Sequence, residues 1–132
     1  MINEHKKTIL IVDDDMDSLD QLSLHVRNMG FEVITADNQK SAEALFNKQK
    51  PDLAIFDLMM DNPDSGFIIS YKFKKKYPDV PVIIATAVTA ETGMVFGLTS
   101  EEDRKWIKAD MYLDKGIRPE QLQMHIHKLL KI

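Results

Sequence analysis

The stretch TILIV, residues 8–12, is apolar on both faces and stops abruptly at three aspartates, Asp13, Asp14 and Asp15. A strand with one wet face alternates apolar and polar residues; a run without alternation belongs in a sheet covered on both sides, which is the situation of a parallel sheet. Four further runs follow the same plan: residues 31–36 (FEVITA), 52–59 (DLAIFDLM), 80–85 (VPVIIA) and the short 111–113 (MYL). Parallel neighbours need long right-handed crossovers, and the segments between these runs are spaced as helices. The expectation is therefore an α/β fold, a doubly wound five-stranded parallel sheet with helices on both faces.

The helical segments carry their own punctuation. Met16, Leu19, Leu22, Val26 and Met29 recur at steps of three or four, with Asp15 placed to cap the start and Gly30 to end the helix in a left-handed conformation. Asp37 or Asn38 precedes a second helix through Ala42, Leu45 and Phe46, which Pro51 closes off. Residues 61–66 (DNPDSG) form a dense turn signal, and helical spacing resumes over 67–77. Pro119 suits the first position of a last helix that sets Leu122, Ile126, Leu129 and Leu130 on one face. Between the fourth and fifth strands, residues 88–110 are the least regular, with Thr99 and Glu102 offering a capping box for a helix through Trp106.

At 132 residues, with 44% hydrophobic and 29% charged positions, the chain has the size and composition of one domain, and residues 1–132 are read as such, with no output domain within them. A net charge of −4 gives no general reason to expect direct nucleic-acid binding or attraction to an anionic membrane. Cysteine is absent, which excludes disulfides, thiolate metal sites and cysteine nucleophiles and fits the cytoplasm. No apolar stretch approaches the ~20 residues of a membrane span, so membrane insertion is not expected.

The polar residues that need explaining share one location. Asp13 and Asp14, Asp57, Thr86 and Lys115 all stand at or just past the C-terminal ends of expected strands one, three, four and five. In an open α/β sheet that edge is the ligand crevice. Three carboxylates gathered there repel one another: two unit charges ~4 Å apart cost on the order of 4 kcal/mol at an effective dielectric near 20, so the trio must either hold protons or gather a cation. A hard ion such as Mg²⁺ suits one or two carboxylates, a carbonyl and waters, and it favours phosphoryl chemistry.

With these residues in view, the chain resembles the receiver domain of two-component response regulators over essentially its whole length. The resemblance rests on Asp13 and Asp14 within ILIVDDD, Asp57 within LAIFDLMM, Thr86 and Ala87 within VIIATA, and Tyr112 and Lys115 within ADMYLDK. It implies the flavodoxin-like strand order 2-1-3-4-5. It implies Asp57 as a phosphoryl acceptor from a sensor histidine kinase or a histidine phosphotransfer protein, and Mg²⁺ held by Asp13, Asp14, Asp57 and the main-chain carbonyl of Met59. Lys115 would pair with Asp57 and then a phosphoryl oxygen, and Thr86 would donate its hydroxyl to another. Ala87 would leave the group room, and Tyr112 would be the aromatic partner of Thr86 in a switch read by a downstream protein. The domain is expected to be a monomer or a weak dimer, and no enzyme beyond its own phosphoryl transfer and dephosphorylation.

Two departures mark this chain. Gly116 stands where the family usually has proline after the lysine; since a cis bond before a non-proline costs roughly 2.5–4 kcal/mol, the loop is expected to be trans or strained. Asp61 replaces a common proline, and Gly66 falls one place later than the family's glycine. These motivate an alternative, a receiver-fold interaction module that works without phosphorylation. A phosphatase with a carboxylate nucleophile would want a second Asp at the position of Met59, which weighs against it. The blander readings are a solvated helix cap for Asp13 to Asp15 and an edge core aromatic for Tyr112. His125 and His127, two apart, do not face each other, and Lys72, Lys74, Lys75 and Lys76 read as a solvated helix face. Met94, Phe96 and Trp106 are assigned to the core in preference to an exposed patch.

Overall fold

In the computed structural model, which describes residues 7–57, 65–86, 110–114 and 116–132, β1 (Thr8–Val12) lies between β2 (Glu32–Ala36) and β3 (Leu53–Asp57) and pairs with both in parallel. Both of its backbone edges are thus hydrogen-bonded and both of its faces are covered, which is why TILIV tolerates no polar alternation. β4 (Val82–Thr86) follows on β3 and β5 (Met111–Asp114) on β4, so the order is 2-1-3-4-5, all parallel. Four helices are described: α1 (Met16–Asn28), α2 (Gln39–Lys48), α3 (Ser65–Lys76) and α4 (Pro119–Leu130).

Strand alternation divides the interior into two cores. Ile9, Ile11, Leu53, Ile55 and Ile83 point to the side covered by Leu19 and Val26 of α1 and by Leu122 and Ile126 of α4. Leu10, Val12, Ala54, Phe56, Val82 and Ile84 point the other way, against Ala42 and Phe46 of α2 and Ile69 and Phe73 of α3. In this second core Phe73 meets Phe46, Phe56 and Tyr77 edge-to-face, with centroids 5.2, 5.6 and 5.3 Å away, the arrangement that ring quadrupoles favour. Each fully buried side chain of this size contributes about 1.5–3 kcal/mol of transfer free energy.

The local signals act as expected at several points. Asp15 caps α1 by accepting the Asp17 N–H at 3.1 Å, Asn38 caps α2 by accepting from Ser41 at 2.8 Å, and Gly30 takes φ +96° after α1. Other expectations are corrected. Met16 fits the helical spacing of α1, yet it is exposed while Ser23 is buried, because among the described residues the first turn lies beyond the strand ends. β4 starts at Val82, as Pro81 has no N–H for the ladder. α3 starts at Ser65, so Gly66 sits in its first turn and the turn signal is shorter than 61–66.

The four lysines of α3 are not uniformly solvated. Lys74 is only 15% exposed and its Nζ lies 2.7 Å from Asp110 Oδ2. That same oxygen accepts the Val82 N–H at 2.8 Å, while the Asp110 N–H donates to the Val82 carbonyl. One carboxylate therefore ties α3 and the start of β4 to the approach of β5. The expectations for Asp61, Thr99, Glu102, Met94, Phe96 and Trp106 lie outside the described residues. No described helix is long and apolar enough to cross a membrane.

Candidate functional site

The strand order reverses at β1: the chain leaves it outward to β2 and returns to β3 on its other side. A crevice at the carboxyl ends of β1 and β3 is the geometric consequence. Asp13 is the first residue past β1, and its N–H still reaches the Ala36 carbonyl at 3.1 Å, so the ladder with β2 holds it in place. Its Oδ1 accepts the Asp15 N–H at 2.9 Å. This Asx-type turn bends the chain out of the strand, leaving Asp13 buried and Asp14 exposed at the rim.

Asp57 ends β3. Val12 and Phe56 are partners in the register, so Asp13 and Asp57 are the next residues on adjacent strands, on the same side of the sheet as Ile11 and Ile55. Both are nearly buried, at 3% and 6% exposure. One carboxylate oxygen from each of Asp13, Asp14 and Asp57 can be chosen so that all three lie within 4.8 Å of one another. At that distance and an effective dielectric near 20, the buried pair alone repels by about 3.5 kcal/mol. Three carboxylates offering oxygen donors only, one of them at the wet rim, are what a hard divalent cation requires, so the residues fit Mg²⁺.

Asp57 is paired in the register with Ala85, a small residue. Thr86 ends β4 one residue further on and pairs with Asp114 of β5. The backbone thus brings the Thr86 position to the same sheet edge as Asp57 and Asp13. The Thr86 side chain, Met59, Ala87 and Lys115 lie outside the described residues. Asp114 is exposed and accepts the Gly116 N–H at 2.8 Å. Tyr112 is half-buried and packs against the α2–α3 core, across the sheet from the carboxylates.

Sequence reasoning missed a cavity of about 260 Å³ that runs from Asp13 between α1 and α4. Ser18, Gln21, Leu22 and His25 form one wall, and Ile55, Ile83 and Ala85 form the floor. The spacing 18, 21, 22, 25 is a helical stripe that was legible in principle. Three of its four members are polar and Gln21 remains exposed, so the cavity becomes visible only once Pro119 and Leu122 of α4 are known to line its other side.

Comparison with known proteins agrees with this architecture. The family model for the response regulator receiver domain matches residues 9–127. A probable transcriptional regulator, ycf27, of Porphyra purpurea is 32% identical over 130 residues, which is 98% of this chain and 50% of that protein. The phosphate regulon transcriptional regulatory protein PhoB of Pseudomonas aeruginosa is 30% identical over 127 residues, 95% of this chain and 52% of that protein. The chain thus spans about half the length of the curated relatives it matches. The crystal structure of a CheY-like response regulator receiver domain protein from Methanospirillum hungatei superposes with a TM-score of 0.80 at 27% identity, covering 96% of this chain and 95% of that one.

Proposed function

The chain belongs to the response regulator receiver domain family, and from that premise we propose that it accepts a phosphoryl group on Asp57 from a phosphohistidine of a sensor kinase or phosphotransfer protein. An Asp57 carboxylate oxygen attacks phosphorus, the P–N bond breaks, and the imidazole leaves with its electron pair and takes a proton. The product is an acyl phosphate. The observation that carries this reading is the trio Asp13, Asp14 and Asp57, with oxygens within 4.8 Å and Asp57 opposite Ala85.

Asp13, Asp14, Asp57 and the Met59 carbonyl would hold Mg²⁺, which when bound neutralises phosphoryl oxygens during transfer. Asp13, anchored by its bond to the Ala36 carbonyl and by the Asp15 N–H, is positioned to keep that charge beside Asp57. Lys115 neutralises a further phosphoryl oxygen, and the Thr86 hydroxyl donates to another. Thr86 moves toward the phosphoryl group, and Tyr112 follows it inward, which alters the surface that a downstream protein reads. We read residues 1–132 as one such domain, working in the cytoplasm and signalling by protein contact.

The test is intact mass after incubation with acetyl phosphate. The wild type gains one phosphoryl mass with Mg²⁺ and none with chelator, and Asp57→Asn gains none. A mass gain retained in Asp57→Asn, or absent from the wild type together with no beryllofluoride binding, overturns the proposal and favours the phosphorylation-independent module.

A further inference from the structure

α2 and α3 carry a second surface that the phosphoryl chemistry does not use. Glu43, Phe46 and Asn47 of α2 and Lys72, Lys75 and Lys76 of α3 line a shallow groove of about 250 Å³. Helices run back from the carboxyl edge of a parallel sheet, so the last turns of α2 and α3 lie at the opposite end from Asp57. They also pack on the opposite face from it. Lys48, in the last turn of α2, and Lys50, just beyond it, add to the same end.

The charges here are poorly balanced for a chain of net −4. Lys72 lies 3.3 Å from Glu43, which also accepts from Gln39 at 2.9 Å, and Lys50 lies 3.2 Å from Asp79. Among the described residues Lys48, Lys75 and Lys76 pair with no carboxylate. The ammonium groups of Lys50 and Lys76 both stand 5.7 Å from the centroid of the Tyr77 ring, close enough for a cation–π attraction. Lys72 and Lys76 are additionally a like-charged i,i+4 pair, an unfavourable arrangement on a helix. A helix C-terminus welcomes a cation, but Lys74 already serves that end while held by Asp110. The Tyr77 ring holds Lys76, but among the described residues no carboxylate answers Lys48, Lys75 or Lys76, so this end of the molecule keeps a local positive excess.

We propose that this groove docks an acidic segment of a protein partner. The surplus is about three lysines, and each phosphate neutralised contributes a salt slope of only about 0.9, so a nucleic acid would be held weakly against the chain's overall negative charge. A short peptide with a few carboxylates matches the surplus. The site is separate from Asp57, so docking there adds a contact that does not compete with phosphoryl transfer.

The probe is a short fluorescein-labelled peptide of glutamates, titrated by anisotropy against the full chain. The expected result is saturable binding that weakens about tenfold on raising NaCl to about 0.3 M, as pairing between exposed charges should. In the double variant K75E/K76E binding falls at least tenfold while Mg²⁺-dependent phosphoryl uptake is unchanged, and amide shifts on titration of the wild type fall in α2 and α3. Binding unchanged in the double variant, or none at millimolar peptide, overturns the proposal. Tighter lysine-dependent binding of a single-stranded oligonucleotide or of phosphatidylserine vesicles overturns it in favour of those partners. Self-association of the chain that the double variant abolishes does the same in favour of a second copy.

Discussion

Replacing Asp13 by Asn should make the metal-free protein more stable. The substitution keeps the shape of the side chain and an oxygen to accept the Asp15 N–H, which now sits 2.9 Å from Asp13 Oδ1. It removes one charge from a trio whose oxygens lie within 4.8 Å. Against buried Asp57 the relief is about 3.5 kcal/mol at an effective dielectric near 20; against exposed Asp14, where the dielectric approaches that of water, it is about 1 kcal/mol. Some of this is lost because the other partners of Asp13 and Asp57, together with relaxation and water, already soften the repulsion, so a net gain of about 2–3 kcal/mol is expected for Asp13→Asn in chelator. In a chain of this size that raises Tm by about 10 °C. Mg²⁺ at a hundredfold excess over its Kd stabilises the wild type by about 2.7 kcal/mol, which the variant forgoes, so the two proteins converge when the metal is added. Urea unfolding with and without Mg²⁺ measures both arms. A variant less stable than the wild type in chelator, or a wild type indifferent to Mg²⁺, refutes the reasoning.

Three further outcomes are expected. Ser23→Ala should stabilise by about 1 kcal/mol, since the Ser23 hydroxyl is buried with no hydrogen-bond partner among the described residues; destabilisation in urea melts would show that it is satisfied. Asp110→Ala should cost about 2–3 kcal/mol, because it strands both the Val82 N–H and the largely buried Lys74 ammonium; a cost below about 0.5 kcal/mol would mean that the link from α3 to β4 carries no stability. The hydrogen bond from Lys50 holds the Asp79 carboxyl below the ordinary aspartate range. A lowered folded-state value stabilises above the unfolded value and is lost as pH falls through the folded one, so this small, salt-sensitive contribution disappears only in acid. An NMR titration should find the Asp79 midpoint rising in Lys50→Met, and an unmoved midpoint would count against the pairing.

The parts of the fold that sequence exposed were those where one physical requirement acts locally. TILIV can only be a strand covered on both sides, Asp15, Asn38 and Gly30 each satisfy a helix end by themselves, and Asp57 stands out as a charge ending an apolar run. The strand order came from family resemblance, and the pairings of β1 with β2 and β3 bear it out. What stayed hidden depends on partners distant in the chain. Lys74 reads as one of four solvated lysines until Asp110 is brought to it, and Met16 fits a helical stripe until the strands end beneath it. The cavity beside part-buried Ser18 and His25 needs α4 as its other wall. The acidic trio was legible because two strand ends, those of β1 and β3, share one edge by topology, whereas the depth of Asp13 and Asp57 needed the register of β1 on β3.

The central claim is that the carboxylate cluster directs a phosphoryl group to one residue, and the most direct test is to find that residue. After acetyl phosphate treatment, borohydride reduction of an aspartyl phosphate leaves homoserine in its place, and peptide mass spectrometry locates it. The account predicts homoserine at position 57 alone, formed with Mg²⁺ and absent in chelator. Homoserine at position 13 or 14, or at position 57 with equal yield in chelator, would contradict it.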